Sequence, residues 1–266
     1  MTVETLRIRQ FKAGKLKFEI YPDSRAAGLA AAEAAASVFR ALAEVRDSFA
    51  VIFATGASQI DTLAALTSMQ KLPWEKISGF HMDEYVGVPI EHPASFRRYL
   101  RERLTGKVRM REFHEIDGTA ADPEEAGRQY GEMLRAANPQ VCLLGVGENG
   151  HLAFNDPDVA DFSDAMDVKT IVLDPVCRQQ QAAEGWFPSV DDVAKSAITL
   201  TIPTLMRVPK LIVSVPGSRK AAIVRRTVEE AISTECPATI LRTHPDATVY
   251  LDAKSAAELE GIDFTR

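Results

Sequence analysis

The sequence predicts an α/β fold, with a mainly parallel sheet and helices on both faces. Three observations carry this expectation. Short apolar runs with no polar face recur, as in FAVIFA at 49–54, VCLLGVG at 141–147 and KLIVSVPG at 210–217. Strands of that kind are covered on both sides, as parallel strands are. Stretches with helical spacing and composition lie between them, so strand and helix alternate. The chain has 266 residues, 46% of them hydrophobic and 26% charged, which suits one large domain over 1–266.

The elements follow in order. KFEIY is strand-like. Arg25 to Val45 reads as one long helix, with Asp23 or Ser24 as its cap. FAVIFA is a strand, and a helix starts near Gln59. ISGFHM at 77–82 is a strand, and Pro93 sits in the first turn of a helix reaching about Leu104. A helix covers about 123–136, and VCLLGVG runs into a glycine-rich loop. VKTIVLD (168–174), SAITLTI (196–202) and KLIVSVPG are further strands, expected in the same sheet. A helix runs from about Ser218 to Ala231, and ATVYLD (247–252) closes the set.

Composition excludes several classes. Lys and Arg number 31 against 37 Asp and Glu, a net charge of −6. General nucleic-acid binding wants a basic surface, so no nucleic-acid partner is expected. A small anionic substrate is compatible, given local cations and helix N-termini. Cys142, Cys177 and Cys236 lie far apart and form no CxxC, which suggests reduced thiols in a cytoplasm. The first twenty residues lack a signal-peptide core, and no apolar run reads as long enough to span a bilayer. No membrane partner is expected, and an assembly of identical copies is left open.

In sheets of this kind ligands bind beyond the carboxyl ends of strands. Four motifs fall there. The first is ATGAS, in which Thr55, Gly56, Ala57 and Ser58 join a strand to a helix start. Gly56 allows close backbone approach, and helix amides with the Ser58 hydroxyl suit an anion. The plain alternative is a turn with Ser58 as N-cap. The second is FHMDEYVGVP, which places Asp83 and Glu84 at a strand end, where partial burial suits carboxylates to proton transfer. The alternative is a solvated strand end. His81 shares a face with Asp83 and reads as a structural, hydrogen-bonding histidine.

The third motif is LGVGENGHLAFNDP. Gly145, Gly147 and Gly150 let the chain fold tightly around a small polar ligand, and His151 is the natural titrating group near neutral pH; the plain alternative is a structural histidine. Asp156, five residues on, is placed to orient the imidazole or to share its proton. The fourth is VPGSRKA, where Ser218 is expected to cap a helix. Lys220 opposes the helix dipole unless an anion binds there; the alternative is a solvated lysine. His114 and His244 show no ligand spacing, and His244 reads as structural. Neither HExxH nor a clustered acidic loop occurs, so no metal site is expected.

These motifs, in this order, resemble the glucosamine-6-phosphate deaminase/isomerase family, whose superfamily includes the 6-phosphogluconolactonases. The resemblance runs from about residue 15 to 253. MDEYVG, the EHP downstream and GVGxxGHxAFNxP point to the deaminase branch. The lactonase branch instead carries DERxVP-like and GHxASLFP-like segments. The resemblance implies a modified Rossmann-like fold. It also implies conversion of an amino-sugar 6-phosphate into a ketose 6-phosphate and ammonia, with no cofactor.

By position, Asp83 matches the base that moves a proton from C2 to C1, and His151 matches the residue that opens the ring. Asn149 stands where many members have Asp, and Asp156 where Glu is common; both flank His151. Gly56, Ala57, Ser58 and Lys220 match the phosphate loop and its lysine, and Thr55 and Gly147 complete the substrate-binding set. The family's phosphate-binding Arg falls near Gly185, which leaves Arg178 in CRQQQAAEGWF as its replacement. Asp167 replaces an allosteric-site Arg, so no activation of that kind is expected. The rival readings are lactone hydrolysis and a non-catalytic sugar-phosphate sensor. Retention of Asp83 and His151 favours catalysis.

Overall fold

A computed structural model describes residues 3–183 and 185–259. The strands are β1 (Arg9–Ala13), β2 (Leu16–Tyr21), β3 (Phe49–Phe53), β4 (Ile77–His81), β5 (Asp83–Tyr85), β6 (Glu112–His114), β7 (Val141–Leu144), β8 (Val168–Val172), β9 (Ser196–Leu200), β10 (Lys210–Val215) and β11 (Ala247–Asp252). The helices are α1 (Val3–Leu6), α2 (Ser24–Val45), α3 (Ile60–Ser68), α4 (Phe96–Leu100), α5 (Pro123–Ala137), α6 (Pro175–Ala183), α7 (Ile202–Met206) and α8 (Ala221–Glu229). Eight strands form the main sheet in the order β1-β2-β11-β10-β7-β3-β4-β6. All its pairings are parallel except the β1–β2 hairpin.

Two of the expected strands lie elsewhere. VKTIV and SAITL pair antiparallel with each other, and SAITL pairs with β5, in a separate three-stranded sheet of order β5-β9-β8. The physical reason is visible in β8. Lys169 and Thr170 are half-buried and Val172 is exposed, so one side of this strand meets solvent. Antiparallel sheets tolerate that, whereas parallel sheets are covered on both faces.

Helix α2 begins at its cap, the Asp23 carboxylate accepting from the Ala26 amide at 2.8 Å. Its alanine face, including Ala27, Ala31 and Ala35, is buried and packs on β2, β7, β10 and β11. By length and hydropathy α2 meets the test for a membrane span, which the sequence reading did not anticipate. Pro93 does not start the next helix. It lies in a turn in which the Ser95 amide donates to the His92 carbonyl, and Ser95 caps α4 by accepting from Arg98. A π-type turn over Arg101–Thr105 then extends α4.

Helices α2, α3 and α4 cover one face of the main sheet, around Phe39, Phe53 and Leu63. Helices α5, α7 and α8 cover the other, around Phe80, Leu144 and Val213. Ile198 and Leu200 of β9 belong to this second cluster, so the small sheet shares its core. The edges of the main sheet are short and polar: β1 exposes Arg9, Gln10 and Lys12, and β6 has only three residues, with Glu112 exposed.

Candidate active site

The strand order sets β7 between β3 and β10. The loops leaving the carboxyl ends of these three strands meet above the sheet, and the β4–β5 connection adds a fourth wall. They enclose a cavity of about 370 Å³, lined among others by Gly56, Asp83, Gly147, His151, Trp186 and Lys220.

Two of the loops are near-copies. Gly56 and Gly217 adopt φ of +87° and +96°, conformations that favour glycine. Each precedes one 3-10 turn, Ala57–Gln59 or Ser218–Lys220, which feeds α3 or α8. Two helix starts, with partial positive charge on their first amides, thus border one cavity. The Tyr99 hydroxyl donates to the Gly56 carbonyl at 2.8 Å, and the Gly217 amide donates to the Asp252 carboxylate at 3.1 Å. The Thr62 and Ser214 hydroxyls, 2.9 Å apart, tie α3 to β10. Neither 3-10 turn has a side-chain cap, so Ser58 and Ser218 do not act as N-caps. Thr55, Gly56, Ala57, Ser58 and Lys220 all line the cavity as expected.

Arg178 does not. Its guanidinium donates to the carbonyls of Val190 (2.6 Å) and Val193 (3.3 Å), and it is not part of the cavity wall. Those carbonyls belong to the segment that folds back on α6, and they hold the side chain away from the site. The cavity's second cation is Arg219, which the sequence reading missed. It lies 3.3 Å from the Glu148 carboxylate, and its only signal in the sequence was its place beside Lys220 in GSRK. Trp186 and Gln181 complete this side of the wall, and the Tyr85 hydroxyl donates to Gln181 Oε1 at 2.6 Å.

The paired carboxylates divide their tasks. Glu84 is fully buried and accepts from the backbone amides of Tyr85, Phe96 and Arg97 and from the Ser95 hydroxyl. It fixes the start of α4. Asp83 lines the cavity, and burial together with the Glu84 charge pushes its carboxyl up to about 8. Such a group holds or releases a proton close to neutral pH. His81 is wholly buried, and both its ring nitrogens lack a hydrogen-bond partner, which corrects the expectation of a hydrogen-bonding role. Burial and Arg97 push its pKa down to about 3, so it stays neutral. His244 is structural as expected: its Nε2 meets the Val208 carbonyl at 2.9 Å.

His151 lies on the wall, with Nδ1 2.8 Å from Asp156 Oδ1. A β-carbon at position 147 would sit 2.2–2.4 Å from three ring atoms, so Gly147 makes the space that the imidazole fills. Burial raises the Asp156 pKa, but hydrogen bonds from His151, Asn149 and Cys177 outweigh this and hold it below the usual carboxylate range. Asn149 directs its hydrogen bonds past the imidazole. Its Nδ2 donates to Asp156 Oδ1 at 2.7 Å, and its Oδ1 accepts from the His151 amide at 3.1 Å. It braces the dyad through the carboxylate and the backbone.

A family model for glucosamine-6-phosphate isomerases/6-phosphogluconolactonase matches residues 22–250. The chain belongs to this family. Among curated relatives in the glucosamine-6-phosphate isomerase/6-phosphogluconolactonase family, glucosamine-6-phosphate deaminase of Pseudarthrobacter chlorophenolicus is 34% identical, covering 91% of this chain and 92% of the relative. The enzyme of the same name from an Exiguobacterium species is 32% identical, covering 80% and 81%. A solved structure of a monomeric glucosamine-6-phosphate deaminase, described as a missing link of the NagB superfamily, superposes with a TM-score of 0.83 at 26% identity, covering 91% of this chain and 99% of that one. A 6-phosphogluconolactonase of Thermotoga maritima shares the fold, with a TM-score of 0.72 at 21% identity, covering 88% and 98%.

Two family positions singled out in the sequence have clear surroundings. Asp167 is ion-paired with Arg135 and Arg207 and is not part of the cavity wall. Gly185 adopts φ of +82° just before Trp186, where it carries no side chain toward the cavity. The fold also assembles a group that sequence spacing did not reveal. Ligating atoms of His151, Asp156 and Cys177 lie within 4.8 Å of one another. No metal site was expected, since neither HExxH nor a clustered acidic loop occurs in the sequence.

Proposed function

We propose that this protein converts an amino-sugar 6-phosphate, of the glucosamine-6-phosphate type, and water into the ketose 6-phosphate and ammonia. The observation that carries this reading is one cavity that joins a buried carboxyl, a histidine–aspartate dyad and twin helix starts with Lys220 and Arg219. The phosphate docks at the 55–58 and 217–220 loops, where helix dipoles and two cations favour a dianion. That handle fixes the sugar so that C2 faces Asp83.

The chemistry then falls to two groups. His151 accepts the C1 hydroxyl proton and returns a proton to the ring oxygen, which opens the ring. Asp156 and Asn149 hold the imidazole for this step. The ionised Asp83 carboxylate takes the C2 proton of the open aldehyde while O1 takes up a proton to give the enolamine. Asp83 then delivers its proton to C1, and nitrogen gives up a proton that balances the one gained at O1. The double bond then lies between C2 and nitrogen. Water adds at C2 and ammonia leaves, which balances the reaction. The steps are proton transfers at carbon, oxygen and nitrogen and the exchange of nitrogen for oxygen at C2, none of which calls for a redox cofactor.

Lactone hydrolysis would leave Asp83 without a task. The three cysteines are free and buried, which fits a reducing cytoplasm. A single domain is supported by the apolar cluster that both sheets share. A panel of phosphosugars and phosphogluconolactone, read by ammonia release and ketose formation, tests the reading. Equimolar ammonia and ketose are expected. Lactone turnover without ammonia from any amino sugar would overturn it.

A further inference from the structure

The geometry points to a divalent-metal site immediately behind His151, formed by His151 Nδ1, the Asp156 carboxylate and Cys177 Sγ. Three observations converge on it. The ligating atoms already lie within 4.8 Å of one another. Asp156 is 1% exposed; its Oδ1 takes both His151 and Asn149, while Oδ2 has no partner in good hydrogen-bond geometry and the carboxylate's one further neighbour is the weak thiol donor of Cys177. A buried carboxylate oxygen left to a weak thiol donor is costly unless something positive meets it. Cys177 comes from α6, an element distant in sequence, and it is itself buried.

The donor set suits zinc. Imidazole nitrogen, carboxylate oxygen and thiolate sulfur are all zinc ligands, at about 2.0–2.3 Å. Ligating atoms around one such ion sit about 3–4 Å apart, so side-chain rotations of about an ångström close the set. Asp156 and a Cys177 thiolate together cancel the charge of a divalent ion. Binding exchanges the thiol proton, released to solvent, for the metal–sulfur bond. A proton on Nδ1 moves to Nε2, which leaves the Nδ1 lone pair for the metal. Water takes the fourth position.

This tautomer has a functional consequence. With its proton on Nε2, His151 cannot accept the sugar's C1 hydroxyl proton. Zinc is therefore a reversible inhibitor that enters through the cavity. The inhibition rests on the ring-opening role proposed above; the binding does not.

The test starts from chelator-treated full-length protein. Titration with Co²⁺ as the spectroscopic probe should show one equivalent bound, with thiolate-to-cobalt absorption in the near ultraviolet. Cys177→Ser should abolish that absorption, and Zn²⁺ should displace it in the parent. A crystal of the parent protein soaked in Zn²⁺ should place an anomalous peak among the three side chains, which decides the matter even if the variant fails to fold. Absence of thiolate absorption, its survival in Cys177→Ser, or a zinc peak elsewhere overturns the site. Chelator-treated enzyme should keep its turnover and lose at least tenfold when Zn²⁺ occupies the site. Occupancy without inhibition would leave the site standing and overturn the role of His151 in ring opening.

Discussion

Asp83 and Glu84 are neighbours of nearly identical chemistry, and the fold gives them opposite fates. Three backbone amides and a hydroxyl converge on Glu84, while Asp83 faces the cavity. The sequence could place the pair at a strand end but could not separate its members, because the donors to Glu84 come largely from 11 to 13 residues away. Asp83→Asn tests the division twice. Turnover should fall about 10²–10⁴-fold, with the loss of the rise in rate that the parent shows as pH climbs toward about 8. Stability should move the other way. A carboxyl whose folded pKa exceeds its unfolded value binds more protons when native, so the parent loses stability as pH rises from about 4 to about 8. The variant lacks this loss. Thermal melts should show it level with the parent near pH 4 and a few degrees more stable at pH 8. A gain that shrank as pH rose would contradict the assignment.

Among the loops and helices, the glycine-rich segments were legible and their contacts were not. ATGAS and VPGSRKA read as strand-to-helix turns, and both are. Their pairing around one cavity depends on β3 and β10 flanking β7, which only the topology reveals. For the same reason Arg219 and Cys177 escaped notice and Arg178 was misplaced: each is defined by neighbours remote in sequence. Lys220→Ala should weaken binding of the phosphorylated sugar by about ten- to a hundred-fold, the loss of a charge-assisted contact of roughly 1.5–3 kcal/mol. Calorimetry with the dephosphorylated sugar is the control, and an equal loss there would refute a phosphate role. In the central loop, Gly147→Ala puts a methyl where the imidazole now lies. The ring must shift and loosen its bond to Asp156. Turnover should drop about 10²-fold with the fold intact, since misplacement by an ångström has that order of effect. Unchanged kinetics would show that the His151 position observed here is not the productive one.

For the whole molecule, the alternation of strand and helix was read correctly, and the two-layer helical cover with it. The second sheet was not, because an apolar five-residue run does not announce its partner's direction. That sheet matters to the site: β5 starts with Asp83 and pairs with β9, whose Ile198 reaches the common core. Stability of the two sheets should therefore be joined. Ile198→Ala should cost about 2–5 kcal/mol and lower the melting temperature in one transition seen alike by fluorescence and circular dichroism. Two separated transitions would mean that the sheets fold as independent units.

The borders of the main sheet carry a consequence for the molecule in bulk. An open sheet of eight strands offers two rows of unpaired amides and carbonyls, a template for another chain. Here one border is a charged ribbon bearing Arg9 and Lys12, and the other ends after three residues beside an exposed Glu112. Strand-to-strand recruitment between molecules meets like charge at one border and too short a template at the other. Crowded solutions of the native protein should therefore not pair through either border of the main sheet.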